Sequence, residues 1–144
     1  MGIDLGNLDE YSFFDLQLTE RATGYVHRRA GLNWGQRAGR EPNQAYIPVS
    51  KRVHNVDPKF FPPRNSVFEI HTDDGNTLVC KMAQDYRKAI QTCQNNSIMG
   101  RYFRTRLGVP LGERVENKHL RDYGRYGVRI YKIDNNKYYM DFSV

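Results

Sequence analysis

The sequence has little cysteine, which excludes the class of small domains stapled by disulfides. Cys80 and Cys93 are 13 positions apart and lack the close spacing of a metal-binding pair. A zinc site needs about four ligands at metal spacing, and His54, His71 and His119 are scattered along the chain. We therefore expect reduced thiols, no metal site and no cofactor.

Long apolar runs and a secretory signal are also missing. No stretch approaches the roughly 20 apolar residues of a membrane-spanning helix. The start of the chain, Met1 to Asp4, lacks the basic and apolar segments of a signal peptide. We expect an intracellular protein without a membrane partner, and a length of 144 residues suits one domain with its own core.

Acidic residues are scarce over much of the chain, and the imbalance is local. Residues 1–20 carry five acids and no base, whereas residues 21–64 carry nine bases against two acids. Residues 81–106 carry six bases against one acid. Two segregated basic blocks are typical of a surface that binds a polyanion, although a solvated basic face without a partner is the alternative.

Catalytic constellations are not apparent either. Asp73, Asp74 and Lys81 superficially resemble the carboxylates and lysine of a metal-dependent nuclease. However, Asp73-Asp74-Gly75 is a hairpin turn signal, and the Glu-x-Lys half of that nuclease pattern is missing. Cys93 has no adjacent His or Asn that would support a nucleophile. We expect no catalytic residue.

One polar stretch, Gly31–Val49, stands out against this background. Its glycines and Pro42 argue against a helix and favour a strand, a protruding loop and a second strand. Arg37 and Arg40 can each offer two parallel hydrogen bonds to guanine. Side-chain amides, which can contact adenine or sugar edges, are contributed by Asn33, Gln36, Asn43 and Gln44. The only tryptophan, Trp34, either packs under the loop or touches bases.

The remaining pattern predicts mostly strands. An Asp-Gly turn between two β-rich runs predicts a hairpin, with strands at 67–72 and 77–83. Residues 8–20 are expected to hold a half-buried strand or an extended flank that packs on the domain. Further strands are expected at 23–32 and 45–49 and in a final hairpin of 128–133 and 138–142. Residues 51–64 and 84–95 are expected to be loops. Two short helices are expected, one from Asn96 or Ser97 to Leu107 and one over residues 116–123.

On the first of these helices, Ile98, Tyr102 or Phe103, and Leu107 share one face. We expect Arg101, Arg104 and Arg106 to occupy the rest of the surface. Strands outnumber helices throughout, so the pattern favours an all-β open barrel or sandwich.

Several motifs in order resemble the C-terminal DNA-binding domain of NgoFVII-type restriction endonucleases. They include G-L-N-W-G-Q-R, R-E-P-N-Q-A-Y-I-P-V, F-F-P-P-R, T-D-D-G-N-T-L-V-C-K-M-A-Q-D, Y-F-R-T-R-L-G-V-P-L-G and Y-K-I-D-N-N-K-Y-Y-M-D-F. The resemblance covers about residues 24–143. It implies a seven-stranded open β-barrel with two short helices, the B-three-like pseudobarrel shared with the EcoRII and BfiI effector domains and with plant B-three transcription factors.

The resemblance also implies that two loops grip the major groove of double-stranded DNA at a short G/C-rich site. On topology, the N-arm corresponds to Trp34–Gln44 and the C-arm to Gln84–Thr92. The candidate N-arm contacts are Trp34, Gln36, Arg37, Arg40, Asn43 and Gln44. The candidate C-arm contacts are Asp85, Tyr86, Arg87, Lys88 and Gln91. The candidate phosphate contacts are Lys51, Arg52, Lys59 and Arg64.

In that family the cleaving unit is a separate N-terminal domain of phospholipase-D type, marked by a histidine-x-lysine motif. No histidine of this chain is followed two positions later by lysine. We therefore expect residues 21–144 to be a DNA-binding domain, preceded by a flanking segment (1–20), in a bacterial cytoplasmic parent protein. The parent is expected to be a homodimer and the isolated domain a monomer.

Two other functions fit the same basic, β-rich pattern, and a third alternative is a protein-interaction barrel with an incidental charge. A barrel that binds RNA or single-stranded nucleic acid would use exposed aromatic residues as stacking platforms. A small self-contained nuclease would cut DNA without a second domain. Preference for separated strands over a duplex distinguishes the first alternative, and cleavage of plasmid by this chain alone distinguishes the second.

Overall fold

A computed structural model of the chain describes residues 5–144. Residues 1–4, which begin the expected flanking segment, lie outside the described residues. The seven strands are β1 (Phe13–Gln17), β2 (Ile47–Pro48), β3 (Val67–Thr72), β4 (Thr77–Ala83), β5 (Ala89–Thr92), β6 (Gly127–Asp134) and β7 (Lys137–Asp141). The α-helices are α1 (Lys51–Val56), α2 (Ser97–Leu107) and α3 (Asn117–Tyr123).

All seven strands form one sheet, in the order β1-β6-β7-β3-β4-β5-β2. Only β3 and β7 pair in parallel; the other neighbours are antiparallel. The two end strands, β1 and β2, lie beside each other, so the sheet curls into a nearly closed barrel. The expected all-β pseudobarrel with seven strands is confirmed.

Both predicted hairpins are present because their turns are encoded locally. Thr72 supports the first turn, where its hydroxyl donates to Asp74 Oδ1 at 2.5 Å and accepts the backbone N–H of Asn76 at 2.9 Å. Gly75 has a φ of +88°, which glycine adopts without a steric cost. The second hairpin joins β6 to β7 through residues 134–137, as expected.

The core fills the barrel with the inward-facing side chains of alternating strand residues. On β3, Phe68 and Ile70 are buried while Glu69 between them is exposed. Phe60 and Phe61 close the barrel from the loop before β3, and both pack against Tyr138 on β7. Further strand residues in this core are Leu16, Ile47, Met82, Ile90, Val128 and Ile130.

Within residues 5–144 there are three α-helices instead of the two expected, because part of the expected loop 51–64 is helical. Ser50 precedes α1 in an extended conformation, and Val53 on α1 is buried against the core. The helix ends at Val56, two residues before Pro58, where proline opposes further helix. The other two helices are confirmed, and each is followed by a left-handed glycine, Gly108 or Gly124.

The expected strand at 23–32 is wrong. The segment is a series of turns that leads into a 3₁₀ helix at Gly31–Gln36, so the exclusion of helical structure from this stretch is also wrong. The reason is a long-range one: the amide of Asn33 donates to the carbonyls of His27 and Val115, which folds the segment back on itself. By contrast, the half-buried strand expected within residues 8–20 is present as β1, with Leu16 buried.

The position of β1 bears on the expected domain boundary. The boundary at residue 21 stays a prediction, but β1 lies on its N-terminal side and pairs with β6 along its whole length.

The expected loop at 84–95 is too long, because β5 occupies its middle. Ala89 and Ile90 pair with both β4 and β2. The loop between β4 and β5 is therefore only the C-arm turn (residues 84–88), and Gln91 lies within a strand.

The prediction of which α2 residues lie on the surface is also wrong in part. Arg104 is completely buried, and the Arg106 side chain is only 14% exposed. Ile98, expected on the packed face, is 45% exposed.

Candidate nucleic-acid interface

The two arms leave the barrel at opposite ends of the same strand pair. Ile47 on β2 lies opposite Ile90 on β5, and Pro48 lies opposite Ala89. The N-arm leads into the start of β2, whereas the C-arm turn leads into the start of β5. Because β2 and β5 are antiparallel, the outer face of this pair lies between the two arms.

The outer face between the arms is polar and partly exposed. Gln91 on β5 is half-buried and lies opposite Lys81 on β4. Its strand neighbours Ile90 and Thr92 are buried, so Gln91 points away from the core. The structure thus brings Gln91 to the floor between the arms, although it is not on a loop.

Two arginines are exposed on the N-arm, and each uses only one of its nitrogen groups within the fold. Arg37 Nε donates to the carbonyl of Arg29 at 2.8 Å, and Arg40 Nε donates to Gln44 Oε1 at 2.8 Å. Their Nη groups make no hydrogen bond or ion pair with any residue of the described range 5–144. Both guanidinium groups can therefore still donate two parallel hydrogen bonds.

Trp34 supports the N-arm from beneath. Its ring makes an edge-to-face contact with Tyr46, with centroids 5.4 Å apart, and the guanidinium of Arg40 lies over the ring. Trp34 is half-buried and packs under the arm, and its contact with DNA stays a prediction.

The N-arm amides are largely used inside the protein. Asn43 is 6% exposed; its Oδ1 accepts the N–H of Gly112 at 2.6 Å and its Nδ2 donates to Glu41 at 3.0 Å. Gln36 Nε2 donates to the carbonyls of Pro42 and Gly112. These two side chains shape the arm and have few groups left for a ligand.

Glu41 is the only carboxylate of the N-arm, and it is held ionised. Burial alone would raise its pKa, but hydrogen bonds from the backbone and side chain of Asn43 outweigh burial, so the pKa of Glu41 lies below its ordinary value. The acid is therefore part of the arm's internal scaffold.

A buried arginine that sequence patterns did not identify anchors the base of the N-arm. Arg104 donates to the carbonyls of Glu113 (2.8 Å) and Gly100 (3.3 Å) and to Asn33 Oδ1 (3.4 Å). Burial lowers the pKa of Arg104, and the charge of Glu41 partly offsets that effect. A usable signal existed: position 104 is four and seven residues after the small residues Gly100 and Ser97, so it shares their helix face.

The C-arm turn is held in an uncommon backbone conformation. Gln84, Tyr86 and Arg87 have φ values of +65°, +61° and +52°, in the left-handed region that non-glycine residues rarely adopt. Arg87 secures it by donating to the carbonyls of Pro58 (2.9 Å), Phe61 (2.9 Å) and Pro62 (3.1 Å). Arg87 is thus a scaffold residue whose guanidinium faces the protein.

The outward groups of the C-arm turn are different residues. Tyr86 is 91% exposed, and Lys88 is exposed with its carbonyl bound by the N–H of Val49. Asp85 is exposed and lies 3.6 Å from Arg64. A phenol, an ammonium group and a carboxylate therefore project together at this end of the β2–β5 pair.

The candidate phosphate contacts gather on the C-arm side. Lys51 and Arg52 lie on α1, whose His54 contacts the carbonyl of Arg87 at 2.8 Å. Lys59 and Arg64 lie on the same segment, residues 58–64, as the carbonyls that Arg87 binds. All four cationic side chains are exposed.

The carboxylates considered for catalysis serve the fold. Arg106 binds Asp73 at 2.8 Å and Asp74 at 3.2 Å, which joins α2 to the β3–β4 turn.

Burial raises the pKa of the Cys80 thiol, which disfavours the reactive thiolate. Within residues 5–144, no cluster of three His, Cys, Asp or Glu side chains could hold a metal ion. The described helices also include none long and apolar enough to cross a membrane.

A comparison with protein families decides what kind of domain this is. The model of the NgoFVII C-terminal B3-like DNA-binding domain matches residues 7–134, most of the chain. The chain belongs to this family. The NgoFVII-type resemblance is thereby confirmed, and DNA is the partner that membership implies. No curated protein matches the chain.

Proposed function

We propose that this B3-like domain recognises a short, G/C-rich sequence in double-stranded DNA, with both arms entering the major groove. The domain is the non-catalytic reading module of a bacterial cytoplasmic restriction endonuclease. Cleavage belongs to a phospholipase-D-type nuclease domain elsewhere in the parent protein, which is a homodimer, whereas the isolated domain is a monomer.

The observation that carries this proposal is the state of the two N-arm arginines. Arg37 and Arg40 are oriented by their Nε groups, and their Nη groups remain free within the described chain. A guanidinium that presents two parallel donors matches the O6 and N7 acceptors of guanine. Prior orientation lowers the entropy lost on binding, so the arrangement favours discrimination of guanine.

The spacing of the arms supports entry into the major groove. β5 has four residues, which at about 3.3 Å each separate the arms by roughly 10–13 Å. The major groove is about 12 Å wide. A duplex whose groove faces the β2–β5 surface would meet one arm at each end and Gln91 between them.

The C-arm turn contributes a second set of contacts in this proposal. Asp85 can accept a hydrogen bond from the amino group of cytosine, and Tyr86 and Lys88 can contact base edges or the backbone. Arg87 holds the turn in place. Lys51, Arg52, Lys59 and Arg64 bind phosphates beside the turn, which positions the duplex without reading it.

A binding selection on randomised duplexes tests the proposal. We expect enrichment of one short G/C-rich sequence, with binding at least about a thousandfold tighter than to random duplex. Absence of enrichment, or tighter binding to the separated strands or to RNA, would overturn it. Plasmid incubated with the domain, with and without Mg²⁺, should remain intact, and defined cleavage products would contradict the non-catalytic assignment.

A further inference from the structure

Among the described residues, those that line a cleft beside the N-arm are arginines. Arg28, Arg29 and Arg114 surround a surface cleft of about 370 Å³. All three residues are exposed, and no acidic side chain within residues 5–144 forms an ion pair with them. Three unneutralised cations around one cleft repel one another, so an anion bound there would be stabilised.

The backbone beneath the cleft is fixed by a completely buried amide. Asn33 Nδ2 donates to the carbonyls of His27 (2.8 Å) and Val115 (2.7 Å), and Asn33 Oδ1 accepts the N–H of Val115 at 2.8 Å. One side chain therefore ties the segment before Arg28 to the segment after Arg114. The two walls of the cleft are held together before any ligand arrives.

Arg104 reinforces the same junction from the core. Its Nε donates to the carbonyl of Glu113, the residue before Arg114, at 2.8 Å. A site whose walls are already fixed loses little conformational entropy when it binds. Such an arrangement is more than a random concentration of surface charge.

The cleft is continuous with the proposed reading surface. Arg37 on the N-arm donates to the carbonyl of Arg29, a cleft residue, at 2.8 Å. An arginine proposed to read a base is thus linked directly to an arginine of the cleft. Outside the groove, the groups of the duplex that lie nearest to a base edge are the backbone phosphates of its two strands.

We infer that this arginine cleft (Arg28, Arg29 and Arg114) clamps one backbone phosphate of the duplex, on the flank next to the N-arm. The inference rests on the proposed function. A concave site lined by three arginines suits a protruding tetrahedral oxyanion, whereas base edges are recessed in the groove and are reached by protruding side chains. The cleft therefore contributes affinity and orientation but does not read sequence.

The test compares two triple variants by fluorescence anisotropy over a range of salt concentrations. R28A/R29A/R114A removes the cleft. The control, R121A/R125A/R129A, removes the same charge from α3, the α3–β6 loop and β6. These three arginines neither line the cleft nor belong to an arm. Thermal unfolding of both variants establishes that they are folded.

For the cleft variant we expect about tenfold weaker binding to selected and random duplexes alike. The slope of log K against log salt should fall by about one unit, because one phosphate contact is lost. The selected sequence should not change. The control should change affinity about twofold or less, since each of its three arginines is already paired with a carboxylate, Asp122, Asp141 or Asp15.

A duplex series trimmed from either end locates the phosphate. Removing one particular flank should abolish the difference between wild type and the cleft variant, whereas trimming the other flank should leave it intact. A cleft variant with wild-type affinity and salt slope, or with an altered selected sequence, would overturn the inference while leaving the proposed function in place. Wild-type protein without any sequence preference would instead overturn the proposed function.

Discussion

The guanidinium carbon of Arg40 lies 4.1 Å from the centroid of the Trp34 ring. Trp34 in turn packs edge-on against Tyr46, the residue before β2, so the contact connects the N-arm tip to the barrel. A cation over an indole ring is attracted by the ring's negative face. The contact therefore holds a mobile arginine in one orientation without neutralising it.

Replacing Trp34 with leucine should release Arg40. We expect binding to the selected duplex to weaken about threefold to tenfold, because the orienting contact contributes about 0.5–1 kcal/mol and mobility adds an entropic cost. Preference should relax at the base pair that Arg40 contacts, as measured with a panel of singly substituted duplexes. Tyr25→Leu, at an aromatic residue that is 61% exposed, is the control. Unchanged discrimination by Trp34→Leu would refute this role.

Replacing Arg37 should change the sequence preference of the domain, whereas replacing Lys51 should change only its affinity for DNA. Arg37→Ala is expected to cost about 1–3 kcal/mol on the selected duplex and to relax preference at one base pair. Lys51→Ala should weaken all duplexes alike and lower the salt slope by about one unit. Salt titrations with selected and random duplexes measure both effects. Equal losses on both duplexes for both variants would contradict this division between reading and positioning.

Gly100 should be intolerant of even one methyl group. A Cβ there would overlap the carbonyl oxygen of Asn43, where α2 meets the N-arm. Alanine normally stabilises a helix relative to glycine by about 1 kcal/mol. Here Gly100→Ala should instead lower the free energy of unfolding by about 1–3 kcal/mol, because the backbones must separate. Urea unfolding measures the change, with Thr105→Ala as the exposed control on α2; a stabilised Gly100→Ala protein would contradict the close contact.

The ion pair of Arg106 with Asp73 should make the free energy of unfolding depend on pH. Burial alone would raise the pKa of Asp73, but hydrogen bonds from Arg106 and from the backbone N–H of Phe142 outweigh burial, so its folded pKa lies below the ordinary value. The stabilisation is therefore complete above the unfolded pKa of about 3.9 and is lost as pH falls through the lower folded value. Arg106→Met should cost about 3–5 kcal/mol near neutral pH, because it leaves a partly buried carboxylate without its partner.

Unfolding by urea at pH 7, 5 and 3 measures this dependence. The difference between wild type and Arg106→Met should shrink as the carboxylates become protonated. Arg129→Met breaks an exposed pair with Asp15 and should cost less than about 1 kcal/mol. A difference for Arg106→Met that stays constant from pH 7 to pH 3 would show that the ion pair is not its source.

Much of the fold could be predicted from the sequence because it is encoded by near neighbours. The Asp-Gly turn, the alternation of Phe68 and Ile70 with exposed residues, and Gly108 after α2 are all local features. The family resemblance and the placement of the N-arm between the first two strands also depend on the order of motifs along the chain. These features can be predicted without knowing the tertiary packing.

The roles of individual polar residues could not be predicted, because their partners are distant in sequence. Arg87 and Asn43 looked like candidate contacts, yet each is bound to internal groups, at Pro58, Phe61 and Pro62 and at Gly112 respectively. Arg104 looked like a surface residue, yet it is buried beneath the N-arm.

The sequence by itself determined that this chain is basic and mostly β-structured, since hydrophobic alternation and turn chemistry are short-range. The resemblance of its motifs to the family implied a barrel with two arms. Only the tertiary structure decided which cations face outward, because a polar group that loses water on folding must find a partner wherever the chain brings one. Within residues 5–144 the Nη groups of Arg37 and Arg40 have no hydrogen-bond partner. Arg87 instead donates to carbonyls of a distant loop, and Arg104 donates to the carbonyl of Glu113 and to Asn33 Oδ1.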